Sequence, residues 1–216
     1  MPVDLYNLYG SPPCGLVRML AKHIGVELNV KNVNLAKGEN RTPEFLKMNP
    51  FHKVPTIDDD GFVLYESTAI CYYLLNKYAP DSELYPKCPR GRARVDQVLA
   101  TMTSTIQPPF MAFFRPRFFT QSKPTDEEVK ALEENVLQGI ETLVGDGNYA
   151  LGDKLTLADL SLMAHLSLLA EIPVFDSGKF PKVAAYYERL KAELPYYEEI
   201  NRPGISALVN LWPVLK

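Results

Sequence analysis

The chain has 216 residues, 46 % of them hydrophobic and 23 % charged, with a formal net charge of −3; this is ordinary globular composition, enough for one large domain or two small ones. No window is dominated by Lys and Arg, so binding to a nucleic-acid backbone lacks its electrostatic source. No run of about 18 residues stays apolar, and MPVDLYNLYGSPP has neither a basic n-region nor an apolar h-region, so a cytoplasmic protein is expected, with no membrane partner.

Val3-Asp4-Leu5-Tyr6 reads as a strand. Leu16, Leu20 and Ile24, flanked by Val17 and Ala21, form a helical stripe that Gly25 can end as a left-handed cap. Leu28 and Val30 alternate in a second strand, completing a βαβ unit. Thr42-Pro43 is an N-cap followed by proline at the first helical position, opening a short helix around Glu44-Phe45-Leu46. VPTI and FVLY then flank Asp58-Asp59-Asp60-Gly61, an acidic turn with a hairpin signal, and a helical pattern resumes from Glu66. The order βαβαββα is that of a thioredoxin-like domain. APDSELYPKCPR, with prolines at 80, 86 and 89, reads as a linker, and no strong strand signal follows it. We therefore expect a thioredoxin-like α/β domain over residues 1–79, a linker over 80–89 and an all-α domain over 90–216. Within the latter, Thr125 before Glu128 and Thr156 before Asp159 are capping-box starts.

The stretch Ser11-Pro12-Pro13-Cys14 has the spacing of a Cys-x-x-Cys redox pair with its first cysteine replaced. Cys14, Cys71 and Cys88 are an odd number without metal-ligand spacing, which argues against a disulfide framework or a metal site and for free thiols, buried at Cys14 and Cys71. A thioredoxin-like domain gathers the end of its first strand, the start of its first helix and the residue before the proline of its third strand around one pocket; here these are Ser11, Cys14 and Val54-Pro55. A cis proline there would present the backbone N–H and C=O of Val54 to a peptide-like ligand. Glu66-Ser67 suits a helix N-cap; the same helix start could also hold a ligand carboxylate on its N–H groups while Glu66 takes an ammonium.

GSPPC at 10–14, NPFHKVPT at 49–56, ESTAI at 66–70 and LTLADLS at 155–161 together resemble the glutathione S-transferase family over essentially the whole chain. Ser11 three before the cysteine and His52 two before Val54 are most similar to the arthropod delta and epsilon classes. Asn7 stands where the tyrosine-type classes keep their catalytic hydroxyl, which favours Ser11 over Tyr6 or Tyr9. The resemblance implies a cytoplasmic homodimer with no resident cofactor, in which Ser11 donates a hydrogen bond to the sulfur of the co-substrate glutathione. His52 then meets the glycyl end, Val54 pairs with the cysteinyl unit beside Lys53 and Pro55, and Glu66 and Ser67 hold the γ-glutamyl end. Asn40 and Thr68 depart from the histidine and arginine frequent in the delta class.

The implied reaction is attack of the glutathione thiolate on hydrophobic electrophiles, as in xenobiotic detoxification, with peroxidase or dehydrochlorinase side activities in the family's range. QPPFMAFFRPRFF, residues 107–119, together with Pro13, corresponds to the segments that line the family's hydrophobic substrate site. The lining candidates are Pro13, Phe110, Phe114, Arg115 and Phe118, with Leu211 and Trp212 from the C-terminal tail, while Phe113 and Phe119 suit packing between domains. Two rivals follow from the same residues. A noncatalytic carrier of hydrophobic ligands would lack the sulfur donor, and a thiol–disulfide exchanger would need a reactive Cys14. His23 and His165 read as surface and core histidines, and Asp159 as a cap.

Overall fold

The computed structural model describes residues 2–216. These form two compact units: the residues up to Ser82 together with Tyr196–Gly204, and Glu83–Pro195 with Ile205–Lys216. Composition suggested boundaries at 79 and 90; the contacts divide the chain at Ser82 and assign a distant nine-residue segment to the first unit.

The first unit has the thioredoxin-like order β1 (Val3–Asn7), α1 (Pro12–His23), β2 (Leu28–Asn32), α2 (Pro43–Met48), β3 (Thr56–Asp59), β4 (Phe62–Tyr65) and α3 (Ser67–Tyr78). The sheet runs β2-β1-β3-β4, with β1 parallel to β2 and antiparallel to β3, and β3 antiparallel to β4. Period-2 alternation buries Val3, Leu5 and Asn7 of β1. Val17, Met19 and Leu20 of α1 and Ile70, Leu74 and Leu75 of α3 complete this core, each side chain contributing about 1.5–3 kcal/mol by leaving water. Thr42 caps α2, its Oγ1 accepting from the N–H of Phe45 at 3.2 Å.

The expected second strand forms at the sheet edge, with Val30 exposed and Leu28 and Lys31 half-buried. The acidic turn is shorter than the run Asp58-Asp59-Asp60-Gly61 suggests. Only Asp60 and Gly61 form the turn, with φ of +54° and +84°, as a type I′ hairpin requires. Asp58 and Asp59 end β3, and Asp59 is buried. Its Oδ2 accepts from Lys77 Nζ and from the hydroxyls of Tyr73 and Tyr78, each at 2.7 Å, tying β3 to α3. Burial alone would raise this carboxyl, but those three donors outweigh it and hold the group below the usual carboxylate range.

The second unit is all-helical: α4 (Pro89–Thr101), α5 (Gln107–Thr120), α6 (Asp126–Leu132), α7 (Gln138–Leu143), α8 (Leu157–Leu169), α9 (Pro181–Glu193) and α10 (Tyr197–Leu211), whose first turns belong to the first unit. Single π-helical turns, Met102–Ile106 and Glu133–Leu137, join α4 to α5 and α6 to α7. Ile106 fills the space a side chain at Gly139 would take, so the second helical rod can approach the first there. All thirteen residues of α8 are buried. Its capping box is complete: Asp159 Oδ2 accepts from Thr156 N at 2.7 Å and Thr156 Oγ1 at 2.9 Å, and Oδ1 accepts from Ala150 N and Tyr186 Oη at 2.7 Å. The box at Thr125 and Glu128 also forms, and Glu128 additionally receives both guanidinium nitrogens of the fully buried Arg117.

Candidate functional site

Register places three separate segments at one end of the sheet. Tyr6 of β1 pairs with Thr56 of β3, and Thr56 pairs with Tyr65 of β4. Just past that row the chain leaves β1 for Ser11, comes from Val54-Pro55 into β3, and leaves β4 for Glu66-Ser67. The three sequence-predicted groups therefore share one edge of the unit.

Ser11 is half-buried at the N-cap of α1, but its side chain makes no capping bond. Ser11 N–H is bonded to Leu8 O at 3.2 Å, and Pro12 and Pro13 have no N–H, so only Cys14 retains a first-turn donor without an i−4 partner in the helix. The neighbour of the Ser11 hydroxyl is sulfur. Burial pushes the Cys14 thiol up, and hydrogen bonds from the Ser11 hydroxyl and the Leu8 backbone only partly offset this. Cys14 is fully buried, as is Cys71, whose thiol is also raised by burial; Cys88 is exposed.

Asn7 is buried, with Nδ2 donating to Asn32 Oδ1 at 2.8 Å. Tyr6 lies on the opposite face of β1, edge-on to Phe45 with Lys31 over its ring. Tyr9 is 41 % exposed and stacks on the guanidinium of Arg18 at 4.8 Å.

The loop before β3 is held by two buried asparagines. Asn49 Nδ2 donates to Lys53 O at 2.9 Å and to Thr56 Oγ1 at 3.0 Å, while its Oδ1 accepts from Phe51 N. Asn40 Nδ2 donates to His52 O at 2.7 Å; the Asn40 Oδ1 is buried without a partner. His52, exposed, adopts φ +48°, an unusual conformation for a residue with a Cβ. Two successive carbonyls are thus turned inward, and among the described residues the N–H and C=O of Val54, half-buried before its cis bond to Pro55, have no hydrogen-bond partner. Asn40 entered the sequence reading only as a departure from a pattern; its hold on His52 was missed, and no local signal carries a contact twelve residues away.

Glu66 is exposed with φ +70° and does not cap α3 with its side chain. Ile70 N–H closes the first helical bond to Glu66 O, leaving the N–H groups of Ser67, Thr68 and Ala69 at an open, positive helix end.

In the second unit, α5 divides its aromatic residues by face. Phe110, Phe113 and Phe114 are buried, Phe114 meeting both of the others, and Phe110 meets the buried His165 edge-on. Phe118 is 40 % exposed and Phe119 60 %, with Arg115 exposed beside them. Leu211 and Trp212 are half-buried at the end of α10, and Pro13 of the first unit is half-buried. The side chains of Phe110 and Phe114 are within the helical core, so only Phe118 and Arg115 of the α5 candidates face outward.

Comparison with known proteins bears on this geometry directly. The family model for the glutathione S-transferase N-terminal domain matches residues 1–76, and that for its C-terminal domain matches residues 101–193. A delta-class glutathione transferase of Nilaparvata lugens is 36 % identical over 100 % of both chains, with a TM-score of 0.89. The chain belongs to the glutathione S-transferase family. This transferase is also similar to a Bombyx mori glutathione transferase, at 34 % identity over 98 % of both chains and a TM-score of 0.90. An epsilon-class enzyme of the housefly Musca domestica is 32 % identical, covers 99 % of this chain and 98 % of its own, and gives a TM-score of 0.89. No helix among the described residues of the transferase is long and apolar enough to cross a membrane.

Proposed function

We propose that this enzyme conjugates glutathione to hydrophobic electrophiles, with Ser11 as the donor that stabilises the thiolate. A free thiol of this type has a pKa of about 8.5, so only a few per cent is nucleophilic at neutral pH. Lowering it by roughly two units requires about 2.7 kcal/mol of preferential stabilisation of the anion. One charge-assisted O–H···S⁻ bond and the positive end of α1 supply an amount of that order. Ser11 donates and does not attack, because no His or carboxylate base bonds to it. The observation that carries this reading is Ser11, whose side chain makes no capping bond and already neighbours a sulfur, that of Cys14, at the end of the sheet where the segments of Val54 and Glu66 converge.

In this assignment the free backbone groups of Val54, flanked by Lys53 and Pro55, pair with the cysteinyl unit as an added strand would. His52 takes the glycyl end. The open N–H groups from Ser67 hold the γ-glutamyl carboxylate, and Glu66 its ammonium. From the helical unit, Phe118 and Arg115 meet the electrophile, with Phe110 and Phe114 as the packed layer beneath; Leu211, Trp212 and Pro13 add apolar surface. Xenobiotic detoxification is the corresponding role, peroxide reduction and dehydrochlorination are secondary reactions of the same thiolate, and three free cysteines fit a cytoplasmic setting. A homodimer is part of the reading, supported by Phe51 and Phe62, 56 % and 48 % exposed on the first unit. Conjugation of chlorodinitrobenzene tests it: turnover in the native protein and its loss in Ser11→Ala are expected, whereas glutathione binding without turnover would indicate a carrier.

A further inference from the structure

The segment Tyr196–Gly204 lies antiparallel along α1. His23 Nδ1 is 2.8 Å from Tyr196 Oη, Lys22 Nζ donates to Glu199 Oε1 at 2.9 Å, Asn201 Nδ2 meets Met19 Sδ at 3.4 Å, and Arg18 donates to Ile200 O at 2.6 Å. One turn beyond Ile200, Gly204 reaches the residue preceding Ser11. A Cβ built on Gly204 would be 2.6 Å from both the N and the Cα of Gly10, closer than real Cβ atoms approach backbone. Gly10 itself has φ +80°, a conformation that favours glycine.

Arg18 reinforces the same seam. It is 5 % exposed and forms no ion pair among the described residues. Its guanidinium is fixed between the Ile200 carbonyl and the face of Tyr9, two residues before Ser11. Burying a cation without a carboxylate is costly, and the Ile200 carbonyl and the Tyr9 face are the contacts that offset it here.

We propose that Gly204, backed by Arg18, is a positioning residue for Ser11: the contact of two glycine backbones sets the Tyr9-Gly10-Ser11 loop at the height from which the hydroxyl reaches sulfur. The proposal rests on the assignment of Ser11 as thiolate donor. A methyl group at 204 must displace Gly10 by roughly half an ångström or more, and misplacements of about 1 Å at a reacting centre cost on the order of 100-fold in rate.

The experiment compares native protein, Gly204→Ala, Arg18→Met and Lys22→Ala, measuring the ultraviolet thiolate absorbance of bound glutathione against pH, kcat and glutathione KM in chlorodinitrobenzene conjugation, and thermal unfolding. Gly204→Ala should lower kcat about tenfold or more and move the thiolate pKa upward, with glutathione KM changed less than about threefold. Arg18→Met should shift both in the same direction, and Lys22→Ala should match the native enzyme. The clash with Gly10 lowers Tm under either role, so kcat and the pH profile decide: a merely structural role for position 204 predicts a lowered Tm with unchanged kcat and thiolate pKa, and that result overturns the proposal. If native protein and Ser11→Ala share one thiolate pKa, the reading of Ser11 itself fails and this inference with it. If they differ and Gly204→Ala follows the native profile, only the inference fails.

Discussion

Replacing Asn40 with alanine tests whether the His52 loop binds glutathione, separately from the stability of the domain that carries it. The substitution removes the 2.7 Å bond from Nδ2 to the His52 carbonyl, a neutral hydrogen bond worth about 1 kcal/mol. The same bond helps hold His52 at φ +48°, a left-handed conformation that costs roughly 1–2 kcal/mol and relaxes once the restraint is gone. The glutathione-binding form of the loop should therefore lose about 1–2 kcal/mol, or roughly 5- to 30-fold in affinity. Asn40 also buries an Oδ1 with no partner, and truncation relieves that desolvation cost of about 1–3 kcal/mol. Global stability should consequently change little. Steady-state kinetics with each substrate varied, together with thermal unfolding, check this: glutathione KM should rise about 5- to 30-fold with electrophile KM unchanged and Tm within about 3 °C of the native value. A glutathione KM within twofold of native would refute the reasoning about this loop.

Further outcomes follow from the helical unit and the thiols. Asp159→Ala strands four donors around a fully buried site, so it should destabilise by about 3–5 kcal/mol, seen as a large drop in Tm or failure to fold, while Thr125→Ala at an exposed cap should cost only about 1 kcal/mol. His165 is fully buried, with Nδ1–H donating to Ser161 O at 2.9 Å and Nε2 2.5 Å from the Gln107 carboxamide, and burial pushes its pKa down to about 4. A depressed histidine pKa means the unfolded chain binds the extra proton, so stability should fall as pH drops from about 6.5 towards 4, by up to about 3 kcal/mol, and denaturant melts of His165→Gln should show a shallower pH dependence. A soluble thiol reagent should modify Cys88 quickly in the native protein and leave Cys14 and Cys71 intact until unfolding, with conjugation activity preserved; rapid labelling of Cys14 with loss of activity would support thiol exchange instead.

What could be read in the sequence was local. Thr42-Pro43 and both capping boxes declare themselves through side chains bonding within three residues, Asp60-Gly61 through residue types that accept positive φ, and the strand and helix periods place Ser11, Val54 and Glu66 at element ends that a thioredoxin-like order must gather. The missed features depend on distant partners. Asp59 looks like one more acid in a turn until Tyr73, Lys77 and Tyr78 of α3 close on it. The π-helical turns shift the phase of the apolar stripe by one residue, which a 3.6-residue period cannot register. Phe110 and Phe118 are alike in sequence, and only packing distinguishes the buried ring from the exposed one. The approach of Gly204 to Gly10 joins residues at opposite ends of the chain and leaves no trace in either neighbourhood.

The most direct test of the central claim is the ultraviolet thiolate absorbance of bound glutathione, titrated in native protein and in Ser11→Ala with chlorodinitrobenzene turnover followed in parallel. The account predicts a native thiolate pKa about two units below that of free glutathione, returning towards the free value in the variant with a large loss of rate. A bound pKa and a rate that are both indifferent to Ser11 would contradict it.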